Sequence, residues 1–130
     1  MKPVIIYKSI FGGTKKIAEW LAERSGAKLV KFSDFNKDSI NDCGTIIVMS
    51  GTYAGKMPLV PFISNHIKEI HGHKLVIISI GSLPEEEKSS KAAYLSIPKE
   101  IRESSSYFRV TGKLKDPETE KKLGEIIRSF

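Results

Sequence analysis

Cysteine is nearly absent from this chain. Cys43 is the only one in 130 residues, so no disulfide can form within the chain, as expected of a protein kept in a reducing compartment. No His or second Cys stands near it in the sequence, and it reads as a packing residue just ahead of a strand. No apolar run approaches the ~20 residues that a membrane span requires. Met1-Lys2-Pro3 leads straight into a short β-branched run, with no apolar targeting core and no cleavage site, so a cytoplasmic location is expected. His71-Gly72-His73 offers only two candidate metal ligands at an expected helix-to-strand turn and reads as a surface loop. Zinc knuckles, RNP-like aromatic motifs and basic helices are missing, so nucleic acid is not expected as a partner.

What is present is an ordinary globular composition, 40% hydrophobic and 28% charged. The length suits one domain over residues 1–130, with a core that needs neither disulfides nor structural metal. Against 15 Asp and Glu stand 21 Lys and Arg, a net charge of +6 that is spread along the chain. That balance favours an anionic ligand, an acidic partner or a membrane surface.

Apolar runs alternate with amphipathic segments throughout. Pro3–Lys8, Thr45–Met49 and Leu75–Ile80 are apolar on both faces, as buried parallel strands are, and Tyr107–Thr111 reads as the last strand. Ala27–Phe32 alternates apolar residues with lysines, as an edge strand does. Helices are predicted over Lys15–Arg24, with Ile17, Ala18, Leu21 and Ala22 on one stripe and Trp20 packing at its edge, and from Pro58, burying Leu59, Phe62, Ile63, Ile67 and Ile70. Two shorter helical pieces are predicted near Glu86–Leu95 and Lys99–Ser104, the acids Glu85-Glu86-Glu87 suiting a first turn. Asp116-Pro117-Glu118 marks the start of a final helix that buries Leu123, Ile126, Ile127 and Phe130. The alternation predicts an α/β fold, a doubly wound five-stranded parallel sheet with helices on both faces.

Three loops at the carboxyl edge of that sheet carry the chemistry, because ligands of such folds bind there, where the strand order reverses. After the first strand comes Ser9-Ile10-Phe11-Gly12-Gly13-Thr14, opening onto a helix. Free N–H groups at a helix start, a glycine that lets the backbone bend closely, and Ser and Thr hydroxyls make a cradle for phosphate. After the third strand comes Ser50-Gly51-Thr52-Tyr53-Ala54-Gly55-Lys56-Met57-Pro58, and after the fourth Gly81-Ser82-Leu83-Pro84. Rival phosphate chemistries fail on particular residues. G-x-G-x-x-G and G-x-x-x-x-G-K-[ST] are both missing, and Gly13-Thr14-Lys15 has the wrong order for the latter. Lys8-Ser9 stands where a phosphate-accepting receiver domain needs an acidic pair, and the first loop lacks the cysteine nucleophile of a low-molecular-weight phosphatase.

Ser9–Thr14 resembles the flavodoxin phosphate loop, roughly [ST]-x-[ST]-G-x-T, and Ser50–Pro58 resembles the flavodoxin loop that flanks the flavin ring. The resemblance implies the flavodoxin-like strand order 2-1-3-4-5 and non-covalent flavin mononucleotide (FMN). Ser9, Gly12 and Thr14, with the backbone of Ile10, Phe11 and Gly13, would hold the phosphate. Gly51, Thr52, Tyr53 and Ala54 would flank the ring, Tyr53 by stacking near it, and the peptide at or near Gly55 would contact the flavin's N5. Gly81, Ser82 and Leu83 would close the other face. Phe11 departs from the pattern, standing where a small hydroxyl residue is usual, and so does Leu83, in a loop where many flavodoxins place a tyrosine. Lys8, Lys15, Lys16 and Lys56 in or beside the site predict a reduction potential above that of acidic flavodoxins.

The function implied is electron transfer between redox partner proteins, acidic ones among them, with no catalytic residue of the chain's own and the oligomeric state open. Two alternatives accompany it. One is an FMN-dependent oxidoreductase resembling the flavodoxin-type protoporphyrinogen oxidases, to which Ile97–Ile101 and Tyr107–Gly112 are similar although the long segment before the last strand is missing. The other is a flavin-free adaptor with the same fold.

Overall fold

A computed structural model describes residues 2–53 and 55–130. Its strands are β1 (Val4–Lys8), β2 (Lys28–Lys31), β3 (Thr45–Gly51), β4 (Lys74–Ile80) and β5 (Ser105–Val110), all parallel, in the order β2-β1-β3-β4-β5. The runs that are apolar on both faces take the three central places and the alternating run takes an edge, as strand burial demands. Register places Ile6 between Val30 and Val48, and Ile47 between Ile5 and Val76.

Successive side chains point to opposite faces and feed two cores. Val4, Ile6, Ile46, Val48, Leu75 and Ile77 face α2 (Leu59–Asn65), α3 (Ile67–Ile70), α4 (Lys88–Leu95) and α5 (Lys99–Ser104). On the other side, Ile5, Tyr7, Ile47, Met49, Val76 and Ile78 face α1 (Gly13–Ser25) and α6 (Pro117–Arg128). Each fully buried aliphatic chain contributes about 1.5–3 kcal/mol of transfer free energy.

The helix boundaries follow local chemistry. α1 ends at Gly26, whose φ of 72° lets its N–H reach the Ala22 carbonyl at 2.9 Å. Trp20 packs at the edge of its core, with the Arg24 guanidinium 3.9 Å above its ring. Asp116 caps α6 by accepting the Glu118 N–H at 3.0 Å, with Pro117 in the first turn. Between β2 and β3 the polar connection forms two 3-10 turns, Phe32–Asp34 and Lys37–Ile40, so Phe32 lies just past the edge strand.

Four details differ from the sequence reading. The helix expected to run from Pro58 to Ile70 breaks at His66, where the backbone leaves the helical region (φ −120°) and the imidazole packs 4.7 Å from both Phe35 and Phe62. α4 starts at Lys88, two residues late; Glu87 is extended and donates to the Pro84 carbonyl, so the three acids form a turn and not the first turn of the helix. β5 starts at Ser105, opposite Leu75, because α5 runs into it without a loop. β3 continues through Ser50 and Gly51. At the sheet's opposite edge, Cys43 is buried with its Sγ 3.5 Å from His73 Nδ1.

Candidate functional site

β1 lies between β2 and β3, so the strand order reverses there and a crevice opens at the carboxyl ends. The loop after β1 is shaped by Gly12, whose φ of 87° is left-handed, a conformation costly for any residue with a Cβ. Ser9 Oγ accepts the Gly12 N–H at 3.0 Å, which fixes the turn and leaves the hydroxyl proton free to donate. The first backbone bond of α1 runs from Lys16 N–H to the Gly12 carbonyl, so the N–H groups of Gly13, Thr14 and Lys15 precede the helical ladder. A Cβ added at Gly12 or Gly13 would meet nothing within 4 Å, so the space beside these two glycines is open. Open space, converging N–H groups, a hydroxyl and the positive end of a helix of 13 residues suit a phosphate.

Thr14, in the first turn of α1, is buried, whereas Ile10 and Phe11 project outward, Phe11 at 86% exposure. Its ring reaches the loop after β3, where it meets Tyr53 edge-on at a centroid separation of 6.1 Å. Phe11, one of the two residues that depart from the flavodoxin pattern, therefore joins the first loop to the second.

The second loop is a tight turn. Tyr53 and Lys56 exchange backbone hydrogen bonds of 2.8 and 3.0 Å, and Gly55 occupies the left-handed region (φ 76°) against Ser89 of α4. Ala54 lies outside the described residues. Tyr53 folds back over Gly51, so that a Cβ at Gly51 would come within 2.7 Å of the ring's Cζ. Thr52 N–H donates to the Ile80 carbonyl at 2.8 Å, tying this loop to β4.

The third loop, Gly81–Leu83, is held by a residue that the sequence reading missed. Arg109 of β5 is only 5% exposed. Its Nε donates to the Leu83 carbonyl at 3.0 Å, and its Nη1 to Thr52 Oγ1 and, at 3.3 Å, to Ser79 Oγ. Gly81 makes room for it, since a Cβ there would lie 2.5 Å from Nη2. Ser79 is also 2.6 Å from the Tyr107 hydroxyl. Burial pushes the Tyr107 phenol above its usual range and pulls the Arg109 guanidinium below its own. The available signal was a lone arginine between apolar strand residues, two positions from a tyrosine on the same face.

Of the predicted residues, Phe11 and Tyr53 are in contact, Gly51 lies beneath Tyr53, and Thr52 and Leu83 meet through Arg109. Ser9–Thr14 and Gly81–Leu83 share no hydrogen bond, and Ser82 is exposed. Lys8, Lys15 and Lys31 line a cleft of about 520 Å³ beside Ser9, and Lys56 lines another of about 440 Å³ beside Tyr53. Among the described residues, no three His, Cys, Asp or Glu side chains gather as metal ligands, and no helix is long and apolar enough to cross a membrane.

The donor set, the open cradle and the aromatic pair beside it fit FMN. The fold is that of solved flavodoxins. The chain is similar to a flavodoxin from the domain Archaea (24% identity, 98% of this chain and 92% of that one, TM-score 0.67). It is also similar to the Streptococcus pneumonia TIGR4 flavodoxin (14%, 98% and 96%, 0.70) and to two-electron reduced Megasphaera elsdenii flavodoxin (17%, 98% and 99%, 0.66). No curated protein matches the sequence. The model of the flavodoxin domain matches residues 4–123, and the chain belongs to that family.

Proposed function

We propose that the chain, acting over 1–130 as one flavodoxin-like domain, binds FMN and carries electrons between redox partner proteins. The observation that carries this reading is the open cradle of unpaired N–H groups next to the Phe11–Tyr53 pair, at the reversal of strand order. When bound, FMN supplies reversible one- and two-electron chemistry at its ring.

The chain's own residues bind and orient. Ser9 Oγ–H and the backbone N–H groups of Gly13, Thr14 and Lys15 take the phosphate oxygens, with Ile10 and Phe11 as the exposed rim and Gly12 as the bend. Tyr53, resting on Gly51 and braced by Phe11, is the aromatic wall, Thr52 anchors its base, and the turn that ends at Gly55 offers its peptide to the ring edge. Leu83, 45% exposed in the Gly81-Ser82-Leu83 loop, gives an apolar cover for the other face. Lys8, Lys15, Lys16 and Lys56 favour the reduced, anionic ring and raise its potential, each by about a kcal/mol or less after screening.

Visible spectra of the purified protein with and without added FMN test the reading. Flavin bands near the usual wavelengths, or a rise in melting temperature with FMN, support it; the absence of both refutes it. Single-electron exchange between the reduced protein and ferredoxin-type partners, without turnover of quinone or porphyrinogen, then marks a carrier, and turnover marks an oxidase.

A further inference from the structure

Arg109 carries a charge that none of its hydrogen-bond partners answers. All three of its hydrogen-bond partners, the Leu83 carbonyl, Thr52 Oγ1 and Ser79 Oγ, are neutral. Among the described residues the ion pairs are Arg24–Glu23, Lys99–Glu103 and Lys122–Glu85, so no carboxylate lies within 4.0 Å of Arg109. Glu85 shares both clefts that Arg109 lines, but it is paired with Lys122 at 3.7 Å and half exposed to water. Glu86, Asp116, Glu118 and Lys122 also line the first of those clefts and Lys91 the second, so carboxylates outnumber ammonium groups there, none of those carboxylates within 4.0 Å of the guanidinium. Nη2 makes no hydrogen bond. Among the described residues no fully buried side-chain nitrogen or oxygen lacks a partner, so this edge of the guanidinium is open to a cleft. A buried cation held only by neutral acceptors is costly unless an anion joins it. Arginine cannot escape that cost by losing its proton, and its planar fork can grip several acceptors at once.

Building on the flavin reading above, we propose that Arg109 is the positioning cation of the site. It clamps the loops after β3 and β4 into one unit, and it presents a fixed positive charge that favours the reduced, anionic flavin ring over the oxidised, neutral one.

The test compares wild type with Arg109→Gln and Arg109→Lys, and with Arg109→Met should the glutamine variant not fold. Oxidised FMN affinity is read by titration. The two-electron potential is read by dithionite reduction against a reference dye; dithionite supplies both electrons, and the ring takes up one proton and keeps one negative charge. Hydrogen exchange at 51–57 and 81–87 reads the clamp in the FMN-free protein. The neutral variants are expected to lose at least tenfold more affinity for reduced than for oxidised FMN, a fall of about 30 mV for each tenfold. Both loops are expected to exchange faster in them. Arg109→Lys is expected to keep the potential within a factor of three in relative affinity while the loops still exchange faster, because an ammonium cannot span the three acceptors. Neutral variants that lose both redox forms equally, with the potential unchanged, overturn the proposal and leave the flavin reading standing. A wild type that takes up no FMN overturns the flavin reading and this proposal together.

Discussion

Gly51→Ala isolates the wall of the site from the fold beneath it. Gly51 ends β3 with no positive φ, so its backbone accepts alanine without strain. The new Cβ would lie 2.7 Å from Cζ and 3.3 Å from Cε1 of Tyr53, against 3.4 Å or more for ordinary contact, and nearer still to the hydroxyl. Those atoms form the far end of a rotatable side chain, so the ring swings away and the strand stays. The swing gives up the edge-on Phe11 contact, about 0.5–1.5 kcal/mol for such a pair. Removing a glycine from the unfolded ensemble returns about 0.4–1 kcal/mol. The net change in stability is within about 1 kcal/mol, or about 4 °C in melting temperature for a chain of this size. FMN affinity falls by about tenfold, equivalent to ~1.4 kcal/mol, because the wall has moved. Calorimetry and fluorescence titration with FMN measure the two quantities. A loss of more than ~3 kcal/mol, the range of core overpacking, would mean that β3 yields instead of the ring. An unchanged FMN affinity would mean that Tyr53 is not the wall. Either result refutes the reasoning.

Other perturbations probe separate parts. Asp116→Ala removes the cap of α6 and lowers stability by about 1 kcal/mol in urea denaturation, with FMN affinity unchanged. Ile77→Ala opens a cavity under the middle of the sheet and costs about 2–5 kcal/mol by the same assay. Burial holds the Tyr107 proton to higher pH in the folded state than in the unfolded chain, so the stability it contributes is complete below about pH 10 and is lost as pH rises through the folded-state value. Tyr107→Phe therefore gives a flatter alkaline stability profile in melts between about pH 9 and pH 11. Burial also raises the Cys43 thiol, so a disulfide reagent at about pH 8 reacts slowly with the native protein and quickly in urea.

The central strands, one edge strand and both cores were legible because three runs are apolar on both faces and one alternates, as a parallel sheet with a charged edge requires, whereas the full strand order came with the family resemblance. Gly26 and Asp116 announced their helix ends through chemistry confined to one turn. His66 did not, since the break coincides with aromatic packing against Phe35, a residue 31 positions away in a different connection. The delayed start of α4 was hidden for a related reason: Pro84 and Ser90 anchor the loop by bonds that a run of acids does not reveal. In the candidate site, the turn after β1 and its free N–H groups could be read from spacing because those donors are consecutive. Arg109 could not, because its partners Thr52, Ser79 and Leu83 belong to two loops and a strand that only the folded sheet brings together.

The clamp also orders events during synthesis, in which the N-terminal part of a chain is released first. β1, β2 and β3 occupy adjacent places in the sheet, so the first three strands can pair before the rest of the chain has been made. The loop proposed as the phosphate cradle belongs to this early piece. Arg109 arrives only with β5, the fifth strand to be made, and until then nothing ties the loop after β3 to the loop after β4 through a guanidinium. On the flavin reading proposed above, the phosphate end of the site is therefore in place before the clamp that holds its ring end.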